Sequence, residues 1–235
     1  MAKKPSTRSE CREVVYDSRH WSVFVNLRER AAQLMEALEK SNLESIVHGS
    51  IARGDVSEKS DVDVFLQTSA SSFSVETALE KAGIRMERRL IVQATPTYAM
   101  KAHIEIAERV SATFSLMKMR RVEREFYSFG GKVSLQDIRK GLRAEGVDKR
   151  LMLIEPTREG HRESTVVGRE EQVARILGVS VETVMDRVHA LTRRDQVGRT
   201  GVFVEEELRD NETFEMALAR LADMNPAVRR RARSV

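Results

Sequence analysis

From Trp21 to Lys40 apolar residues recur every three or four positions: Phe24, Leu27, Ala31, Leu34, Met35 and Leu38 form one stripe. That period predicts an amphipathic helix, with Asn42 placed to cap its end. Glu44-Ser45-Ile46-Val47 reads as a short strand running into Gly49-Ser50. Residues 51–58 read as a helical turn or short helix, and 61–67 as a second strand. A Ser-rich loop over 69–74 leads to a helix at 75–82, stopped by Gly83. The run Leu90-Ile91-Val92 inside 85–95 and the alternation over 102–107 predict two more strands. In the latter, His103, Glu105 and Ala107 share one face, and Ile104 and Ile106 the other.

Residues 108–128 are apolar in part, and Gly130-Gly131 marks a domain boundary, dividing the chain into 1–130 and 131–235. The second part opens with a helix at 134–144, capped by Ser134 and carrying Leu135, Ile138 and Leu142 on one face. A strand at 151–154 runs up to Pro156, with a hairpin partner at 163–167. Helices follow at 169–177 and 181–194, then a strand at 202–204 and a helix at 211–224 stopped by Pro226. A basic tail, Arg229-Arg230-Arg231 with Arg233, closes the chain. The alternation of helices and strands predicts an α/β (α+β) fold class.

Composition narrows the function classes. The chain has 235 residues, 41% hydrophobic and 32% charged, which reads as a soluble globular protein. No apolar run approaches the roughly 18 residues needed to span a membrane, and no apolar stretch stands behind Met1–Pro5 to make a secretory signal. A single cysteine, Cys11, excludes an intrachain disulfide and predicts a cytoplasmic location. The net charge is +4, with arginines clustered at Arg120-Arg121, Arg193-Arg194 and Arg229–Arg231. That distribution is compatible with an anionic partner such as nucleic acid or an NTP.

The chemistry concentrates in one stretch: His48-Gly49-Ser50-Ile51-Ala52-Arg53-Gly54, then Ser60-Asp61-Val62-Asp63. Spacing of two puts Asp61 and Asp63 on one face of a strand. Neighbouring carboxylates repel unless a cation lies between them, and Mg²⁺ is commonly held by one or two carboxylates plus substrate phosphates. The Gly-Ser turn offers backbone N–H groups to phosphate oxygens.

Gly49-Ser50-x-x-Arg53-Gly54 followed by Ser60-Asp61-x-Asp63 resembles the signature of the DNA polymerase beta superfamily of nucleotidyltransferases, over about residues 20–110. It is most similar to the small prokaryotic members. The resemblance implies a small mixed sheet with flanking helices, with Gly49 and Ser50 binding the triphosphate of an NTP. It implies that Asp61 and Asp63 coordinate Mg²⁺ (or Mn²⁺), and that pyrophosphate leaves as a nucleoside monophosphate moves to an acceptor. Arg53 either reaches phosphate or ties the loop. A third carboxylate completes such sites. Gln93, before Pro96, stands where some relatives carry an Asp, and Glu105 is taken as the third metal ligand or base, with Glu108 a poorer option. His48 is read as a packing residue, and His103 shares the face of Glu105.

Ala174-x-x-x-Gly178-Val179-Ser180-x-x-x-Val184 resembles the helix-turn-helix of winged-helix domains, with Gln196–Val204 as the wing. The second helix would present Glu182, Thr183, Arg187 and His189 outward. Arg187, Arg193, Arg194 and Arg199 are the candidate nucleic-acid contacts. The leading reading is a nucleotidyltransferase whose acceptor is RNA, a protein or a small molecule. The alternative is a nucleic-acid-binding regulator that retains the fold with little or no catalysis.

Overall fold

The structure, a computed structural model, describes residues 11–67, 70–197 and 201–233. The chain begins β1 (Cys11–Val15), α1 (Ser18–Glu39), β2 (Ser45–His48), α2 (Ser50–Arg53) and β3 (Val62–Leu66). Next come α3 (Ser72–Lys81), β4 (Arg88–Gln93), β5 (Lys101–Ala107), β6 (Val110–Ser115) and α4 (Arg121–Phe129). Then follow β7 (Lys132–Ser134), α5 (Leu135–Arg139), β8 (Gly146–Val147), β9 (Met152–Thr157) and β10 (Gly160–Thr165). Last are α6 (Glu170–Leu177), α7 (Val181–Val197), β11 (Val204–Glu207), α8 (Phe214–Met224) and α9 (Pro226–Arg233). Helices and mixed sheets alternate, the α/β class that the hydrophobic patterns predict.

The described residues fall into two compact units, and each is discontinuous in sequence. The first draws on Met1–Glu29, Val47–Ser60 and Arg124–Thr200; the second on Arg30–Ile46, Asp61–Glu123 and Gly201–Val235.

In the first unit β1, β10, β9 and β8 form a sheet in that order, with β1, β9 and β10 pairing antiparallel. Helices α6 and α7 close over an apolar core of Leu151, Leu153, Val166, Val173, Val184, Val188 and Leu191. Gly178 takes the left-handed conformation (φ 61°) that ends α6. Ser134 caps α5 with a capping box: its hydroxyl accepts from Asp137 N–H while the Asp137 carboxylate accepts from Ser134 N–H.

In the second unit five strands lie in the order β11-β4-β5-β6-β3. The β3–β6 pair is parallel; β6–β5, β5–β4 and β4–β11 are antiparallel. One face is apolar: Val62, Val64, Ala112, Phe114, Ala102, Ile104 and Ile91 are buried. Phe214 of α8 meets Phe114 edge-on, ring centroids 5.6 Å apart. Helix α8 starts at Phe214 rather than residue 211 because the Thr213 side chain accepts from Met216 N–H and caps it. Pro226 does end α8, but it also opens α9, since proline is well tolerated at a first helical position.

Strand β6 lies within 108–128, whose partly apolar pattern predicts no element. Strand β11 corrects another expectation. It pairs with β4 in the register Val204↔Gln93 to Glu207↔Leu90, so it covers the edge of the five-stranded sheet instead of forming half of a wing.

Candidate active site

The two halves of the signature lie in different units. In the first, β2 delivers the chain into Gly49, whose φ of 77° and ψ of −142° favour glycine. A Cβ there would meet nothing within 4 Å, so the backbone conformation, rather than crowding within the protein, favours glycine. The Gly49 N–H donates to Gly131 O (2.9 Å), and Gly49 O accepts from the N–H groups of Ala52 and Arg53. The Gly49 amide is therefore engaged within the fold. The half-buried Ser50 hydroxyl donates to Ser60 Oγ (3.2 Å), which also accepts from Ser57 N–H (3.0 Å).

Arg53 ties the loop. Its guanidinium grips Asp55 through two hydrogen bonds (2.9 and 2.8 Å) and donates to Gly130 O (2.6 Å) and Val147 O (3.4 Å). The side chain is 6% exposed, so Arg53 acts here as a strut. Arg28 does the same for the end of α2, donating to Ile51 O and Ala52 O as well as Leu142 O. Burial draws its pKa down to about 10, with Arg143 adding to the effect. Ile51 O and Ala52 O are among the carbonyls that the short helix leaves without helical partners, and Ala52 O also accepts from Ala144 N–H (2.9 Å). His48 meets Tyr127 edge-on at 4.9 Å, consistent with the packing role expected of it.

In the second unit Asp61 is exposed just before β3, and Asp63 is half-buried within it. The strand register aligns Asp63, Ser111, Glu105 and Arg88 in one row across β3, β6, β5 and β4. Paired residues in a sheet project to the same face, so this face is polar where the other is apolar. Ser111 Oγ donates to Asp63 Oδ1 at 2.7 Å. Glu105 lies two strands from Asp63, about 10 Å by strand spacing. Its carboxylate is paired with Arg88 at 3.3 Å, and Arg88 also grips Glu207. Thus Ser111, not the expected Glu105, stands beside Asp63. Among the described residues, no group of three or more His, Cys, Asp or Glu could hold a metal ion.

Gln93 is fully buried and alternates onto the opposite face from Asp63. Its amide donates to Tyr98 O (2.9 Å) and Pro96 O (3.4 Å), folding the turn between β4 and β5. Further along the polar face His103 Nδ1 contacts Thr113 Oγ1 at 2.8 Å. Lys101 sits 5.5 Å over the Phe65 ring, and burial pushes its pKa down while Glu123 opposes the shift.

Of the expected nucleic-acid contacts, Arg193 and Arg194 are exposed on α7. Arg187 turns inward, its guanidinium 4.9 Å over the Phe126 ring, and Thr183 is buried. Arg199 lies outside the described residues. The turn before α7 is held by Glu125 of α4, whose carboxylate accepts from Ser180 N–H, Ser180 Oγ and Thr183 Oγ1.

A buried titratable cluster accompanies the first unit's sheet. Tyr16 Oη lies 2.6 Å from His161 Nδ1, and Arg150 bridges Glu163 (2.6 Å) and Asp148 (2.5 Å). Burial holds the Tyr16 phenol protonated and pulls His161 below its usual pKa, against the opposing pull of Asp55 and Glu163. Burial alone would raise Glu163, yet its bonds to Arg150 bring it below the ordinary carboxylate range.

Sequence reasoning missed Ser111 and Arg28. Ser111 had a signal: Ser111, Thr113 and Ser115 alternate with Val110, Ala112 and Phe114, a half-buried strand pattern. Arg28 had none, because its three partners are carbonyls remote in sequence.

Residues 28–122 match the family model described as a nucleotidyltransferase domain, which supports nucleotidyl transfer as the general activity. No curated protein matches the chain. No solved structure matches it either. No helix among the described residues is long and apolar enough to cross a membrane.

Proposed function

We propose that the chain is a metal-dependent nucleotidyltransferase that moves a nucleoside monophosphate from an NTP to an acceptor hydroxyl and releases pyrophosphate. The observation that carries the reading is the Asp61-x-Asp63 pair, opening β3 inside the matched region with Asp63 oriented by Ser111. Two carboxylates suit Mg²⁺, which commonly fills its remaining positions with water and substrate phosphates. Bound there, the metal would neutralise phosphate charge and lower the pKa of the attacking hydroxyl. Asp61 and Asp63 hold the ion. Ser111 fixes one Asp63 oxygen and leaves the other to the ligand. In this reading Glu105 is held by Arg88 and shapes the polar face rather than acting as base.

The test is pyrophosphate release from each NTP with Mg²⁺ or Mn²⁺, followed by transfer of label from the NTP into RNA, protein and small-molecule fractions. The wild-type chain should label one fraction, and Asp61→Ala/Asp63→Ala should label none. Undiminished turnover in that double variant would sink the proposal. A second reading, nucleic-acid contact through α7, is favoured by exposed Arg193 and Arg194 at its C-terminal end. It expects salt-sensitive binding that weakens in Arg193→Ala/Arg194→Ala.

A further inference from the structure

The second unit contains a cavity of about 540 Å³ that the proposed chemistry does not use. Lys118, Arg120, Arg230 and Arg231 line one side, and Pro96, Met119 and Ala227 supply apolar wall. None of the described lining residues is acidic. The volume falls within the roughly 300–1,000 Å³ of small-molecule sites.

The cavity wall is built by a buried ion pair. Arg231 of α9, its side chain 8% exposed, lies 3.5 Å from Glu123, which is 1% exposed. The same guanidinium donates to Thr97 O (3.1 Å) and Lys118 O (2.6 Å), joining α9 to the turn after β4 and to the segment after β6. Glu123 also accepts from the N–H groups of Ala99 (2.6 Å) and Arg120 (3.0 Å). A buried pair of this kind is costly unless its hydrogen bonds are made, and here they are made to two separate segments, the turn between β4 and β5 and the stretch after β6. Arg229 is likewise structural, donating to Ala222 O and Asp223 O at the end of α8. The basic tail read from the sequence is therefore a helix with two arginines bound inward and Arg230 exposed at the cavity. The Arg120 side chain also pairs with Glu123, Nε to Oε2 at 3.3 Å. The site is remote from Asp63: β6 runs from Ser111, the partner of Asp63, to Ser115, about 13 Å along the strand, and the lining begins beyond it.

We propose that this cavity is a second anion site that takes the polyphosphate of a nucleotide. Lys118 and Arg230 grip phosphate oxygens, and Arg120, stacked 4.8 Å over Tyr98, presents a preoriented guanidinium. Planar guanidinium forks suit phosphate oxygens in pairs. The wall of Pro96, Met119 and Ala227 receives the apolar face of the base or sugar. The same polyphosphate chemistry belongs to a free nucleotide and to the 5′-triphosphate end of an RNA.

The site is tested by equilibrium binding of ATP and of a 5′-triphosphorylated oligoribonucleotide to the full chain in EDTA, which removes metal-dependent binding at Asp61 and Asp63. Lys118 and Arg230 are exposed, and a thermal melt confirms that Lys118→Ala/Arg230→Ala folds as wild type does. Saturable binding is expected, weakened at least ~10-fold in Lys118→Ala/Arg230→Ala and changed less than ~2-fold in Asp61→Ala/Asp63→Ala. The tighter of the two probes identifies the source of the phosphate. Absence of saturable binding, or any other pattern across the variants, overturns the proposal. Neither result bears on pyrophosphate release, so this site and the proposed transferase stand or fall separately.

Discussion

The turn around Gly49 and the sheet row around Asp63 come from one continuous signature, yet they use their polar groups in opposite ways. In the turn, Gly49, Arg53 and the carbonyls of α2 are tied to the fold by hydrogen bonds, and Arg53 is almost wholly buried. In the sheet, Asp61 is exposed and Asp63 half-buried, with Ser111 donating to one Asp63 oxygen. A signature residue is thus not automatically a ligand-binding residue. Arg53 shapes the loop, while in the proposed reading the carboxylates hold the metal.

The contrast can be broken by mutation. The largest effect belongs to Asp63→Asn: pyrophosphate release should fall at least ~100-fold, because a neutral amide cannot replace the metal-holding charge, while the melting temperature stays near that of wild type. Arg53→Ala should do the reverse in stability. Removing one partner of a buried pair leaves Asp55 uncompensated, at a cost of about 3–5 kcal/mol, read by urea unfolding. If Arg53→Ala unfolds like wild type but loses turnover, the strut assignment is wrong.

Ser111→Ala should lower apparent Mg²⁺ affinity about 10-fold, the lower end for groups that orient metal ligands, with activity recovering at high Mg²⁺. Glu105→Gln should change turnover less than ~3-fold, since an exposed salt bridge contributes little; a loss of ~100-fold would restore Glu105 as the base. The smallest effect concerns pH. His161 has its folded pKa below the ordinary value of about 6.5, so the unfolded chain binds the proton more readily. The stability contributed by neutral His161 is present above about pH 6.5 and is lost as pH falls through that value toward the folded pKa. Melting temperature against pH for wild type and His161→Gln should show a shallower acid-side decline in the variant.

Much of the fold was legible because local pattern sets it. The stripe from Phe24 to Leu38 became α1, Asn42 took the left-handed φ of 56° that ends it, and Ser134 capped α5. The strand over 102–107 put Ile104 inside and Glu105 on the polar face as the alternation required. The wing expected over Gln196–Val204 falls partly outside the described residues, and at its described end the strand partner was not legible. Whether Val204 pairs backward into a hairpin or with β4 depends on which strand edge is available, and a four-residue strand does not encode its partner.

The carboxylate pair Asp61-x-Asp63 and the Gly-Ser turn were set by the sequence alone, because spacing within a strand and a glycine's backbone freedom are local properties. Their neighbours were decided by tertiary structure. Strand order set Ser111 beside Asp63 and moved Glu105 to Arg88. Packing turned Arg187 inward and converted a basic tail into a cavity wall through Arg231 and Glu123. Charge can be counted along a chain, but the partner of each charge is chosen by which segments the fold brings within hydrogen-bonding distance.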